Sequence, residues 1–534
     1  METDHTSIRF TKTGYFSKII TDYLNEDEKL TPFYHHFPSK ENFAAQIEEK
    51  RKAYQKSFRP ILNKALIEQY SETDLSEDTR VNIELLKNEK TFTITTGHQL
   101  NLFTGPLYFL YKIISAINLA RDLKTAYPEF NFVPVYWMAT EDHDFDEINY
   151  FNFKGQKVSW KKGVSGAVGR VSLEGLDAVY QEFSSLLGAG SNAEMIRELF
   201  KQSYLEKKTL TEATRYLANA LFGELGLVIV DGDEQSLKAL FAPHVKRELK
   251  EQVSHQQVEL TNAKLRNHYK IQVNQREINL FYLDDKLRER IVLDQGRFRV
   301  NNTDMIFSAE EIESCVENSP EKFSPNVIMR PLYQEVILPN LCYIGGGGEL
   351  AYWMQLKTMF KEYDVPFPVL LLRNSVLLID EKQLKKMRKL EISVEELFMK
   401  EPELIKKKVN ALSSVQVDFS NEKEVLRDMF KDLKSLSDLT DPSFSGAVLA
   451  QEKKQLNGLE KLEKRLLKAK KRKYAELVSR IIALQSELFP NHSLQERQTN
   501  FSEFFEIYGE DLISVLIEHL RPLDQNFDVI CLQK

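Results

Sequence analysis

One stretch, residues 91–149, constrains the fold of this chain more than any other: TFTITTGHQLNLFTGPLYFLYKIISAINLARDLKTAYPEFNFVPVYWMATEDHDFDEIN. It begins with a β-branched and aromatic run at 91–96, which suits a buried strand. A loop punctuated by Gly97 and Gly105 follows, and Pro106 sits where a first helical turn accepts it. From Leu107 to Leu123, apolar residues recur at helical spacing, among them Leu110, Ile113, Ile114 and Ile117. A second apolar run, 132–139, ends abruptly in Glu141, Asp142, His143, Asp144, Asp146 and Glu147. Strand, loop, helix, strand is a βαβ unit, which implies a parallel sheet. Ligands of open parallel sheets bind beyond the carboxyl ends of the strands. The polar loops 97–105 and 140–147 are therefore expected to face one crevice.

The chain has 534 residues, enough for roughly three or four domain-sized units. A 42% apolar and 28% charged composition describes a soluble globular protein. The net charge of −7 gives no reason to expect a nucleic-acid partner. The apolar runs are strand-sized, so no membrane span is expected. The first residues lack the basic and then apolar layout of a signal peptide, which points to the cytoplasm. Cys315, Cys342 and Cys531 lie far apart without CxxC spacing, as expected of free thiols in a reducing compartment.

Taken in order, 1–90 reads as a charged helical region packing on the core, with Ser39 capping a helix that carries Phe43, Ile47 and Tyr54. The first core segment is 91–150, and 151–208 loses the strand–helix rhythm and reads as a first insertion. The core resumes in a second segment, 209–241, where Leu227, Val228, Ile229 and Val230 run into Asp231 and Asp233. A second insertion, 242–325, holds a candidate hairpin at 291–300. The third core segment, 326–380, contains strands at 341–344 and 369–372 and a helix from about Leu350. Segment 381–490 is expected to be a helical coiled-coil arm: leucines recur through 447–488, and 420–436 is a candidate antiparallel partner. The last segment, 491–534, reads as helical, with a capping box at Ser493 and Glu496. The predicted class is α/β: a Rossmann-like parallel-sheet core, two insertions and a long coiled-coil arm.

Three groups could carry chemistry. Asp142, His143, Asp144 and Asp146 place carboxylates around an imidazole at a strand end, which suits an amine or a divalent metal with His143 as acid or base. The alternative is a solvated helix start. Gly97, His98, Gln99, Thr104 and Gly105 form a loop whose amides could hold a phosphate or carboxylate; without a Walker lysine or GxGxxG, P-loop and dinucleotide labels do not apply. A structural turn is the competing reading. Gly345, Gly346, Gly347, Gly348 and Glu349 suggest close approach of a nucleotide or a mobile lid. Trp353 could stack on a ring or fill the core. Arg330, Arg373 and Asn374 could contact anions. Lys112, in the first core helix, is a weaker candidate whose competing reading is an exposed, salt-bridging lysine, and His35-His36 shows no metal-ligand spacing.

TTGHQLNLFTGPLYFLYK, VPVYWMATEDHDFDEIN, RPLYQEVILPNLCYIGGGGELAYW and SLQERQ together resemble the cysteine ligases of bacillithiol biosynthesis, the BshC family, in order along nearly the whole chain. The resemblance implies a core related to class I nucleotidyl-transferring enzymes, a coiled-coil arm used for homodimerisation, and addition of L-cysteine to glucosaminyl-malate. It also implies glutamine at the position of His98 in many relatives, so His98 is not expected to be an essential proton donor. Amide formation calls for an activated carboxylate, most simply through ATP with magnesium, and no metal site, zinc included, is expected. The expected nucleotide ligands are His98, Thr104, Gly105 and Gly345–Gly348; Asp142, His143, Asp144 and Asp146 would hold the amine and take its proton. Two rivals stand beside this reading: an ATP-dependent ligase for another small acid, and a non-catalytic nucleotide-binding scaffold.

Overall fold

A computed structural model describes residues 2–412, 418–437 and 442–533. The chain divides into two compact units, Met1–Leu378 with Ser493–Lys534, and Ile379–His492.

At the centre of the first unit lies a five-stranded sheet. Its order is Val228–Asp231, Asn131–Met138, Thr91–His98, Asn340–Gly345, Val369–Leu372. Every pairing is parallel. Counted along the chain, the strands run third, second, first, fourth, fifth, the order of a Rossmann-type half, and the direction of winding reverses between Thr91–His98 and Asn340–Gly345. Parallel sheets need both faces covered, which explains why Thr91–His98 is buried along its whole length. Phe92 and Ile94 pack with Ala116, Leu119 and Leu123 of helix Tyr108–Ala126, and with Phe43 and Ile47 of helix Lys40–Ala53.

The first insertion supplies a small hairpin, Tyr150–Phe153 with Gln156–Ser159, and helices Leu176–Leu186 and Ser191–Tyr204. The second supplies helices and an antiparallel five-stranded sheet, in which Leu287–Asp294 pairs with Arg297–Val300. Both chain ends depart from the helical expectation. Glu2–Arg9 pairs antiparallel with Asn526–Gln533, from Glu2 opposite Gln533 to Arg9 opposite Asn526. The first strand is polar and acquires its partner only through the fold, while Val529, Ile530 and Leu532 are buried apolar residues of the second. The capping box expected at Ser493 does not form. Glu496 is fully buried and accepts instead from Arg373 Nη2 at 2.6 Å and from the Val376 amide at 3.1 Å.

The second unit is helical. Ser420–Ser437 lies alongside Pro442–Lys473, and Glu463 of the longer helix pairs with Lys423 at 2.6 Å and Lys406 at 2.8 Å. The long helix expected over 447–488 is broken at Tyr474 (φ −107°, ψ 32°), after which Ala475–Leu488 continues. Among the described residues no helix is long and apolar enough to cross a membrane.

Candidate active site

The carboxyl ends of the core strands open into a crevice of about 1290 Å³. It lies where the winding of the sheet reverses, the expected position for a ligand. Gly97, His98 and Gln99 line it from one loop, Asp142, His143 and Asp144 from the next, and Gly346, Gly347, Gly348, Glu349 and Arg330 from the third. The fold thus brings together most of the residues singled out in the sequence.

The wall nearest the glycine run is cationic. Lys112 is 4% exposed, and its ammonium donates to the Gly97 carbonyl at 2.7 Å and pairs with Glu349 at 2.8 Å. Burial pushes this ammonium below its ordinary value, against the pull of Glu349. Burial would raise the Glu349 carboxyl, but Lys112, the Gly346 amide at 2.6 Å and the Tyr343 hydroxyl at 3.0 Å outweigh it and hold the group below the usual range. The Arg330 guanidinium lies over the rings of Trp137, Tyr343 and Trp353 at 5.7–5.9 Å. One of its nitrogens, Nη2, is buried without a hydrogen-bond partner, and so are Arg373 Nε and His98 Nε2. Two unsatisfied guanidinium nitrogens at one crevice suit an anionic ligand, because buried polar groups are normally paired, whereas His98, kept neutral by burial, adds no charge.

The opposite wall is acidic, and most of its carboxylates are engaged. Asp142 accepts from its neighbour's amide at 2.7 Å and from Gln99 Nε2 at 2.9 Å. Gln99 also donates to Glu147 at 3.1 Å. Glu141 pairs with Lys238 at 2.7 Å, and Asp233 pairs with the same lysine and with Arg170. Burial raises the Glu141 carboxyl despite Lys238. Asp231, at the end of the adjacent strand, accepts from Thr140, and burial and Asp233 raise it. His143 Nδ1 lies 2.7 Å from Arg288 Nη1, an arrangement that assigns the imidazole proton to Nε2. Asp144 lines the crevice with no hydrogen bond or ion pair to its carboxylate among the described residues.

Six of the singled-out residues lie outside the lining, each for a visible reason. Asn374 accepts from the Ser115 hydroxyl at 2.9 Å and donates to the Arg521 carbonyl at 3.3 Å, which engages its amide elsewhere. Phe103 and Thr104 have positive φ, and Phe103 is buried among Phe151, Phe183, Phe200 and Phe501, which turns the loop away from the crevice. Gly105 (φ 64°, ψ −134°) is required by that turn, since an added Cβ would stand 2.7 Å from Asn101 Cβ. Gly345 ends a strand, and a Cβ there would meet Leu350 and Tyr343 at 2.9 Å. Trp353 is fully buried and stacked on Tyr343 at 4.3 Å, so it supports the wall from behind. Asp146 points outward and meets Asn149 at 3.5 Å.

Other components of the site were not legible. Lys112 is only a weak candidate in sequence, against an exposed lysine, yet every position of its helix from Phe109 to Ala120 is buried; a lone cation on so apolar a helix was the available signal. Arg288 and Lys238 arrive from an insertion and a later helix, and no local spacing announces them.

His98 makes an acid–base test of this wall. Burial holds its imidazole well below the ordinary 6.5, with Lys112 acting in the same direction. Below that pH the unfolded chain binds a proton the folded chain refuses, so this group costs stability as pH falls. Relative to wild type, His98→Gln is expected to gain about 1.4 kcal/mol per pH unit below 6.5. Denaturant titrations at about pH 7.5 and about pH 5.5 measure it. Parallel stability curves would contradict the assignment.

Fold and crevice together define a Rossmann-like protein with an open crevice at the switch point and a coiled-coil unit. A model of the bacillithiol biosynthesis BshC N-terminal Rossmann-like domain matches residues 1–374, and one of the BshC C-terminal coiled-coil domain matches 376–532. Relatives described as "Putative cysteine ligase BshC" include those of Flavobacterium johnsoniae (54% identical, covering 98% of this chain and 99% of the relative), Christiangramia forsetii (55%, 98% of each) and Flavobacterium psychrophilum (56%, 98% of each). The chain belongs to the BshC family.

Proposed function

We propose that this protein is an amide-forming ligase that joins the carboxylate of L-cysteine to the glucosamine amine of glucosaminyl-malate, giving bacillithiol. The observation that carries this reading is the division of the crevice by charge. A malyl group brings two carboxylates, which suit Arg330, Arg373 and Lys112; the amine suits the acidic wall of Asp142, Asp144 and Glu147. The same cationic wall, with Gly346 and Gly348 open toward the crevice, also fits nucleotide phosphates. ATP with magnesium, when bound, supplies activation of the cysteine carboxylate.

In this reading Arg330 and Arg373 orient the malyl end, and Asp142 and Asp144 hold the ammonium. Asp144 takes the proton that frees the amine for attack on the activated carboxyl. His143, held by Arg288, positions this loop. The exposed Val425, Met429, Leu433 and Leu436 on helix Ser420–Ser437 favour a homodimer through the coiled-coil unit, and three free thiols favour the cytoplasm.

The test is a mass-spectrometric assay of the purified protein with L-cysteine, glucosaminyl-malate, ATP and magnesium, following thiol product and adenine nucleotides. Product with AMP supports an adenylate route, and product with ADP an acyl phosphate. Nucleotide binding without product under any condition favours the scaffold. Arg330→Ala is expected to raise the KM for glucosaminyl-malate roughly 10- to 100-fold, the value of one charge-assisted contact, with a smaller change in kcat. An unchanged KM would remove Arg330 from the malyl site.

A further inference from the structure

Away from the crevice, the turn after Phe33 and the helix Lys40–Ala53 bring two imidazoles onto one carboxylate. His35 Nε2 lies 2.7 Å from one oxygen of Glu49, and His36 Nε2 lies 3.1 Å from the other. One ligand atom from each residue can be chosen so that all lie within 4.8 Å of one another. The two rings are 4.1 Å apart. The side chains paired with the Glu49 carboxylate are these two imidazoles, with no lysine or arginine among the described residues.

We propose that His35, His36 and Glu49 form a binding site for a late first-row divalent metal ion, zinc being the best match. Two neutral imidazoles and one carboxylate are a familiar three-ligand set for zinc, which completes its shell with water. Side-chain exposures of 35%, 21% and 39% leave room for that water and for entry of the ion. The sequence conceals the site because the third ligand comes from a separate helix, delivered by the fold.

The ligands stand on a prepared frame. The Tyr34 and Phe37 rings on either side of the histidines pack on Tyr23 at 5.1 and 5.4 Å. The Phe37 carbonyl accepts from the Ser39 amide at 2.8 Å and Asn42 Nδ2 at 2.9 Å. Helix Lys40–Ala53 is fixed on both sides of Glu49: Gln46 donates to the Phe367 carbonyl at 3.1 Å, and Lys50 pairs with buried Glu335 at 2.9 Å. Little ordering is left for the ion to impose, which favours binding. A bound ion would fasten this turn to the helix that covers the core sheet.

Zinc titration of the full-length, chelator-treated protein by calorimetry tests the proposal, with cobalt absorption as a second readout. One zinc per chain is expected, together with a rise in melting temperature on zinc addition. His36→Ala and Glu49→Gln are each expected to weaken zinc binding at least roughly tenfold and to abolish the zinc-dependent rise. Melting of the chelated variants checks folding, and either folded variant suffices for the comparison. Wild-type stoichiometry and affinity in a folded variant, or no zinc uptake by the wild type, overturns the site.

Discussion

Asp144→Asn is expected to lower product formation by roughly 10²- to 10⁴-fold, the usual worth of a positioned general base, while leaving the melting temperature unchanged. The argument comes from what its neighbours are doing. Asp142 has both oxygens occupied, by the His143 amide and Gln99. Glu147 accepts from Gln99, and Glu141 is paired with Lys238. His143 already offers Nδ1 to Arg288. Asp146 is outside the lining, so among the described residues Asp144 is the lining carboxylate of this loop with neither oxygen engaged, and it is the one placed to take the proton from an amine that Asp142 helps to hold. Asparagine keeps the shape and removes the proton acceptor. Because no contact to the Asp144 carboxylate holds the fold together, the loss should fall on kcat. Full turnover in the variant would eliminate Asp144 as the base and weaken the charge-division argument with it.

Lys112→Met is expected to cost about 1–3 kcal/mol of stability, because it leaves the half-buried Glu349 carboxylate without its counter-charge. Glu349 would retain the Tyr343 hydroxyl and Gly346 amide but lose its counter-charge, and the Gly97 carbonyl would lose a donor. Both losses fall at the switch point, so activity should vanish as well. The double variant Lys112→Met/Glu349→Gln separates the two effects. Removing the stranded charge should recover a large share of the stability, while activity stays absent because the cationic wall is gone. Denaturant unfolding and the ligation assay read the two quantities independently. Equal stability of single and double variants would mean that the pair is not the reason Lys112 is buried.

How much of this was legible in the sequence follows from the range of the interactions. Local rules located the βαβ unit at 91–149 because period and punctuation act over a few residues, and the carboxyl-end rule then placed its loops in one crevice. The same rules could not separate Gly346 and Gly348, which face the crevice, from Gly345, which is glycine because Leu350 and Tyr343 crowd it. They likewise gave Thr104 and Gly105 to the ligand, whereas Phe103, drawn into an aromatic cluster with Phe151, Phe183, Phe200 and Phe501, turns that end of the loop aside. Trp353 was open between stacking on a ligand and filling the core; burial against Tyr343 decides for the second. Lys112, Arg288, Lys238 and Glu496 take their meaning from partners about 100 or more residues away in most cases, and no window of sequence holds both halves of such a pair.

The pairing of the two chain ends bears on how the protein is made. His5 and Asp528, hydrogen-bonded across the terminal strands, are 523 residues apart, and Arg373 finds its buried counter-charge only at Glu496. A ribosome delivers Glu2–Arg9 long before its partner Asn526–Gln533. The nascent first unit therefore waits, with an unpaired polar edge and an uncompensated arginine, while the whole helical unit is synthesised. That unit can gather its local helix pairs during the interval, since contacts close in sequence form fast. Final closure of the larger unit therefore follows synthesis of the helical unit, and a chain cut before Asn526–Gln533 leaves the Glu2–Arg9 edge without its cover.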